Sequence, residues 1–155
     1  MSKILKNHYH NIQLKSIRVV SLNSFVSADF DEANKENISI ETTIGNFGEV
    51  LSETKGRTFL KTKVQGIKED EIVFEIEVVH EGICENEGLL NEDEFRFFLE
   101  IQAIPMLWSY SRETINNIML KMNLSPILLP VLNITEIMKD IKESRKEFRE
   151  ESSDE

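Results

Sequence analysis

The chain reads as an α+β protein in which a four-stranded antiparallel sheet comes first and C-terminal helices pack on one face of it. Two observations carry this. Apolar residues alternate at a period of two in the stretches before residue 80, and from Asn91 onward the apolar spacing becomes helical. Strands grouped first and helices after give a layered architecture around one core. The 155 residues suit a single domain, taken as residues 1–141, with 142–155 expected as a charged, disordered tail.

The first strand spans Ile12 to Phe25, and its alternation changes phase twice, which predicts one or two bulges. Ala28 to Asn37 is acidic and polar and reads as a loop. Ile38, Ile40, Thr42 and Ile44 alternate with Ser39, Glu41 and Thr43 as a second, half-buried strand that stops at Gly45. The stretch from Asn46 to Glu53 has neither period and is expected to cross from one place in the sheet to another. Thr58 to Ile67 resumes as a strand, and Lys68 to Glu71 is a charged turn. Ile72, Phe74, Ile76 and Val78 make the clearest strand, and the acids on its other face turn part of the sheet toward water.

Asn91 with Glu94 predicts a capping box, and Phe95, Phe98, Leu99 and Gln102 make the stripe of the helix that follows. A second helix is expected from about Ser109 to Met122 on Ile115, Ile118, Met119 and Met122. A third begins at Asn133 or Thr135, with Ile134, Ile137, Met138 and Ile141 on one face. All 3 prolines, Pro105, Pro126 and Pro130, lie within the stretch from Ile104 to Ile134. Each lacks an amide donor and fixes φ, so the stretch must turn at defined points, with Pro126 and Pro130 in an extended link. Its apolar residues, including the run Ile127-Leu128-Leu129, are either buried or form a surface built to hold something apolar.

A net charge of −10 argues against nucleic acid and anionic membranes as partners, because both would repel the chain. No apolar run approaches the roughly 20 residues of a membrane span. The single cysteine and the lack of a leader-like N-terminus lead to the expectation of a cytoplasmic protein. Phosphate loops, paired-cysteine zinc spacings and nucleophile elbows are missing, so an enzyme is not expected.

The remaining signals are weak. His8 and His10 have a chelating i, i+2 spacing, but two ligands near a terminus read better as a solvated tail, and no metal is expected. His80 and Cys84 could be a thiol–imidazole pair; an ordinary buried thiol is the plainer reading. Glu75 and Glu77 share a strand face at about 6.5 to 7 Å, imaginable as a glycosidase pair but preferred as a solvated face. The sequons at Asn37 and Asn133 carry no weight without a secretory signal. Met106, Met119, Met122 and Met138 suit either a core or a surface for varied apolar partners.

Two blocks resemble the SecB family of bacterial export chaperones. Phe74-Glu75-Ile76-Glu77-Val78-Val79-His80-Glu81-Gly82-Ile83 looks like that family's last strand and its exit. Tyr110-Ser111-Arg112-Glu113-Thr114-Ile115 and Pro126-Ile127-Leu128-Leu129-Pro130-Val131-Leu132-Asn133 are similar to its helical signatures. The resemblance implies a homotetramer, a dimer of dimers with helices packed between the dimers, holding unfolded preproteins in long apolar grooves without ATP or any cofactor. It implies client-binding positions at Phe47, Val50 and Leu51 in the crossing connection, and at Trp108, Ile115 and Met119 in the helical region. It also implies docking of the SecA translocation ATPase through acids on the sheet face, here Glu75 and Glu77, although Arg18, Ser21 and Asn23 occupy first-strand positions where acids would help. SecB-like chaperones that protect an antitoxin are the alternative within the family. A small-molecule carrier and a purely structural subunit are the rivals outside it.

Overall fold

The computed structural model describes residues 10–31 and 36–151, with side chains through residue 143. Strands β1 (Ile12–Val26), β2 (Ser39–Val50), β3 (Lys55–Lys68) and β4 (Glu71–Asn86) form one sheet in the order β1-β4-β3-β2. All neighbouring pairs are antiparallel. The β1–β4 register shifts between Leu14 and Ser16 and again between Val19 and Ser21. Those two bulges produce the phase changes in the β1 sequence. Glu69 and Asp70 both have positive φ, 50° and 64°, the backbone twist that a two-residue hairpin needs.

The chain crosses the sheet at a different point from the one the sequence suggests. Asn46 to Val50 continue β2 in register with Leu60 to Gly56. Leu51 and Ser52 then donate their amides to the Lys55 carbonyl at 2.9 and 3.0 Å, closing a tight turn into β3. The glycine that makes this stretch look irregular is a packing device. A Cβ at Gly48 would meet the Leu99 backbone carbon at 2.9 Å, so glycine lets the helical layer press onto the strand. The true crossing connection follows β1, because β1 and β2 occupy opposite edges. It leaves through Ser27, whose amide donates to the Val73 carbonyl at 2.7 Å, and lays Phe30 against Phe74 with ring centroids 6.1 Å apart.

Helix α1 (Glu92–Phe97) starts with the reciprocal Asn91–Glu94 capping box. It runs into a π-helical turn, Phe98–Gln102, marked by the Ala103 amide donating to the Phe98 carbonyl at 2.9 Å. The extra residue per turn rotates the stripe: Ile101 and Ala103 go inward and Gln102 faces solvent, a shift that regular helical spacing could not anticipate. Helix α2 (Ile104–Lys121) begins before Ser109, with Pro105 in its first turn, where a missing amide costs nothing. It ends in a Schellman motif: Asn123, at φ 58°, donates to the Leu120 carbonyl at 3.1 Å and Leu124 to Met119 at 2.9 Å. After a nonregular link, α3 (Ile134–Glu151) starts from Asn133, whose Oδ1 accepts from the Glu136 amide at 3.3 Å. The helix continues past Ile141 through Glu151, where a tail was expected; residues 152–155 lie outside the described residues.

The helices cover the sheet face that carries Leu60, Val64, Phe74, Ile76 and Val78, which join Ile104, Leu107, Trp108, Ile115 and Met119 in the main core. A second cluster, with Ile12, Cys84, Phe95 and Leu99, closes the other end beneath α1 and the π turn. Thr58 Oγ1 donates to the Leu99 carbonyl at 2.7 Å, so a buried hydroxyl helps to seat the π turn.

Candidate functional site

An apolar cleft opens where β2 begins and α2 ends. Its volume is about 310 Å³, and its walls are Phe30 and Ile38 from the crossing connection, Ile40 of β2, Phe74 of β4, Met119 of α2, and Leu124 to Ile127 of the link. The link stays extended because Ser125 and Leu129 each precede a proline and are pushed away from the helical region. Leu124 and Leu129 are buried and anchor it, and the Trp108 indole Nε1 donates to the Pro130 carbonyl at 3.1 Å. With those anchors inside, Leu128 between them turns outward, 89% exposed, as does Val131 just beyond, at 88%.

A second hollow of about 410 Å³ adjoins the first, bounded by Ile40, Thr42 and Ile127 to Pro130. Ile40, itself 41% exposed, and Ile127 border both. The two hollows therefore make one apolar strip along the start of β2. Exposed apolar surface of this extent on a chain of net charge −10 makes the strip a candidate interaction surface. Among the described residues, no charged side chain lines either hollow.

The six residues expected to bind clients do not come together. Met119 lines the cleft. Trp108 and Ile115 belong to the main core and are not among the residues lining the cleft. Their helical spacing is the same for a core stripe and a groove wall, and only the link folding over α2 decides between them. Val50 and Leu51 lie at the far end of β2, in a separate basin of about 570 Å³ with Leu89 and Phe95. Phe47 is 58% exposed on the opposite sheet face, where it pairs with Phe59 at a centroid distance of 6.1 Å. These three were assigned through the misread crossing connection. Phe30 and Ile38, which wall the cleft, sit in the true one, and their signal was apolar side chains flanking an otherwise polar loop.

Glu75 and Glu77 do face away from the helices. Glu75 accepts from Gln65 Nε2 at 2.6 Å. Glu77 is bridged by Lys61 at 3.2 Å and Lys63 at 3.3 Å, and the hydrogen bond from Lys61 leads the effects that hold its carboxyl below the usual range. Both carboxylates are thus engaged by neighbouring side chains on β3, as on an ordinary polar sheet face. On the helix side, the His80 ring is held at both nitrogens, by Ser111 Oγ at 3.0 Å and Thr114 Oγ1 at 3.1 Å. Cys84 belongs to the second core cluster, and burial pushes its thiol up to about 11. It is an inert thiol, and His80 is committed elsewhere. His10 Nδ1 accepts from the Ile12 amide at 3.0 Å, and His8 lies outside the described residues. Among the described residues no cluster of His, Cys, Asp and Glu could hold a metal, and no helix is long and apolar enough to cross a membrane.

Comparison with known proteins agrees with this architecture. Residues 6–145 match the family described as preprotein translocase subunit SecB. An uncharacterised protein of Methanocaldococcus jannaschii is 27% identical over 136 residues, covering 88% of this chain and 75% of the relative. Among solved structures, the SecB-like chaperone of Mycobacterium tuberculosis, in complex with a ChAD peptide from the HigA1 antitoxin, superposes with a TM-score of 0.67 at 13% identity, covering 79% of this chain and 91% of that one. With the family match running from before β1 into α3, the chain belongs to the SecB family of protein-export chaperones.

Proposed function

We propose that the protein holds unfolded polypeptides without ATP, delivering preproteins to the Sec translocase in the cytoplasm, and that the strip between β2 and the proline-bounded link is where it holds them. The observation that carries this is the exposure of Ile40 and Leu128 on two adjoining hollows that share Ile40 and Ile127. Burying three or four client side chains there yields on the order of 6 kcal/mol gross. Ordering the client cancels part of it, so several strips in one assembly are needed for useful affinity. The test is suppression of aggregation of an unfolded protein at stoichiometric amounts of chaperone.

The assembly we propose is a homotetramer, a dimer of dimers. β1 is an edge strand whose Val19, Val20, Leu22, Phe25 and Val26 are exposed, which supports self-association along that edge. Val50, Leu51 and Phe47 remain candidate client contacts at the other end of β2, as outlying sites on a long client.

A dedicated client such as an antitoxin is the second reading, and the antitoxin peptide on the mycobacterial relative favours it. Glu75 and Glu77 are the candidate docking pair for the SecA ATPase. The lysine bridges on Glu77 and the presence of Arg18, Ser21 and Asn23 across from this region weaken the case for that docking and leave client holding untouched. A small-molecule carrier is disfavoured because the hollow is open along its length. Native mass spectrometry would reveal a retained ligand in that case.

A further inference from the structure

The sheet face turned away from the helices carries a patch that neither the core nor the apolar strip uses. Successive outward positions of β3 read Arg57, Phe59, Lys61 and Lys63, and β2 sets Phe47 beside Phe59 and Gly45 beside Lys61. The cations stand above the acids they pair with. Lys61 and Lys63 share one oxygen of Glu77, at 3.2 and 3.3 Å, and the Lys61 side chain is 53% exposed where that of Glu77 is 19%. In the Phe59 row, the Arg18 side chain is 72% exposed and that of its partner Glu81 9%. Arg57 bonds Glu49 at 2.6 Å and holds its guanidinium 5.5 Å from the centroid of the Phe59 ring. Four cations thus meet three carboxylates here, and what they present to solvent is positive. The chain's charge of −10 does not reverse this locally, because at physiological salt exposed charges beyond about 8 Å are largely screened.

Gly45 makes room on this patch. Its φ is not positive, and a Cβ built on it would meet nothing within 4 Å. Neither backbone conformation nor packing therefore calls for glycine, which on its own weakens a strand. What it leaves is a bare shelf, flanked along β2 by Phe47, 58% exposed, and across the pair by Lys61. We infer that this patch docks an acidic segment of a protein partner, one that carries an aromatic side chain beside its carboxylates. The partner's ring lies on Gly45 against Phe47, two positions and about 6.6 Å along the strand. A carboxylate next to that ring reaches the Lys61 and Lys63 ammonium groups, since directly opposed cross-strand neighbours stand about 5 Å apart and diagonal ones about 7 to 8 Å. Single-stranded nucleic acid also combines negative charge with flat rings, but it needs a basic track along its backbone, and Glu49 and Glu77 interrupt the cations here. The apolar strip takes apolar side chains, and docking through Glu75 and Glu77 would need a basic partner. This site is distinct from both and does not depend on the holding function.

The experiment titrates labelled nine-residue peptides against the full chain by fluorescence anisotropy at physiological salt. The parent peptide has a central phenylalanine with two aspartates on each side; one control replaces the phenylalanine by alanine and another the aspartates by asparagine. We expect the alanine peptide to bind about tenfold more weakly than the parent and the asparagine peptide about fivefold more weakly. Gly45→Thr fills the shelf with a good strand former. It should keep or raise the urea midpoint, leave aggregation suppression unchanged and weaken the parent peptide at least about tenfold. Lys61→Gln, an exposed change, should weaken it about threefold. Leu128→Asp should leave peptide binding unchanged. Absence of binding at millimolar peptide, equal binding of the asparagine peptide, or full binding by folded Gly45→Thr would each overturn the proposal. Loss of binding in Leu128→Asp would overturn it by moving the peptide to the apolar strip. Tighter binding of an oligothymidylate than of the parent peptide, abolished by Gly45→Thr, would overturn it in favour of nucleic acid.

Discussion

The indole of Trp108 donates a hydrogen bond to the carbonyl of Pro130 at 3.1 Å and so ties the end of the extended link to the middle of α2. That bond fixes where the proposed client strip ends, because Pro130 bounds the second hollow. Trp108→Phe keeps the buried aromatic and removes only the donor. It should retain the fold, cost about 1 kcal/mol, and raise amide exchange in residues 124–132. Trp108→Asp should instead unfold the chain, since it leaves an unpaired charge in the core. Circular dichroism with urea titration distinguishes the two.

Phe74 lies over Gly66 across the β3–β4 pair: a Cβ at Gly66 would stand 2.2 Å from the Phe74 ring. The ring is also a wall of the cleft. Gly66→Ala must push it outward, and we expect about 1 to 3 kcal/mol of destabilisation together with weaker client binding. Unchanged stability and unchanged peptide affinity would show that the ring is free to move.

His80 is held neutral by burial, which lowers it from its ordinary value of 6.5, with Glu113 acting in the opposite direction. The unfolded chain therefore takes up a proton on this side chain at higher pH than the folded chain does. Its contribution to stability is complete above about pH 6.5 and is lost as pH falls from there through the lowered folded value. Ser111 and Thr114 hold the ring from α2, so the loss should loosen the α2–β4 contact. The decline in urea midpoint between pH 7 and 5.5 should be reduced in His80→Gln; an identical decline would assign it to other groups.

Cys84 gives a direct probe of opening at the α1 end of the core. With its thiol pushed up to about 11 and fully buried, it should react with an aromatic disulfide reagent only at the rate of unfolding. Rapid labelling in buffer would mean that α1 and the π turn lift off the sheet in the native state.

Local pattern was enough to read the strand-then-helix order, the β1 bulges, the Asn91 capping box and the extended proline link. What it could not supply was the position of the crossing connection. Gly45 and Gly48 interrupt the β2 alternation, and only the Leu99 backbone lying over Gly48 explains why glycine occurs inside a strand. That is why Phe47, Val50 and Leu51 were expected in a crossing connection, whereas Phe30 and Ile38 are the residues that lie in it and wall the cleft. Trp108 and Ile115 raised a different difficulty: helical spacing marks a buried face without saying what buries it. Here it is the link, through Leu124 and Leu129. The π turn, which reverses Ile101 and Gln102, had no sequence signal.

The central claim is that clients bind along the strip between β2 and the link. Leu128 is nearly fully exposed, so Leu128→Asp should leave secondary structure and urea midpoint unchanged. The decisive measurement is the chaperone-to-client ratio that halves light scattering by an unfolded test protein, compared between the native chain and Leu128→Asp. The account predicts that the variant needs several-fold more chaperone, because a charge now interrupts the apolar strip. An unchanged ratio, with the fold intact, would contradict it.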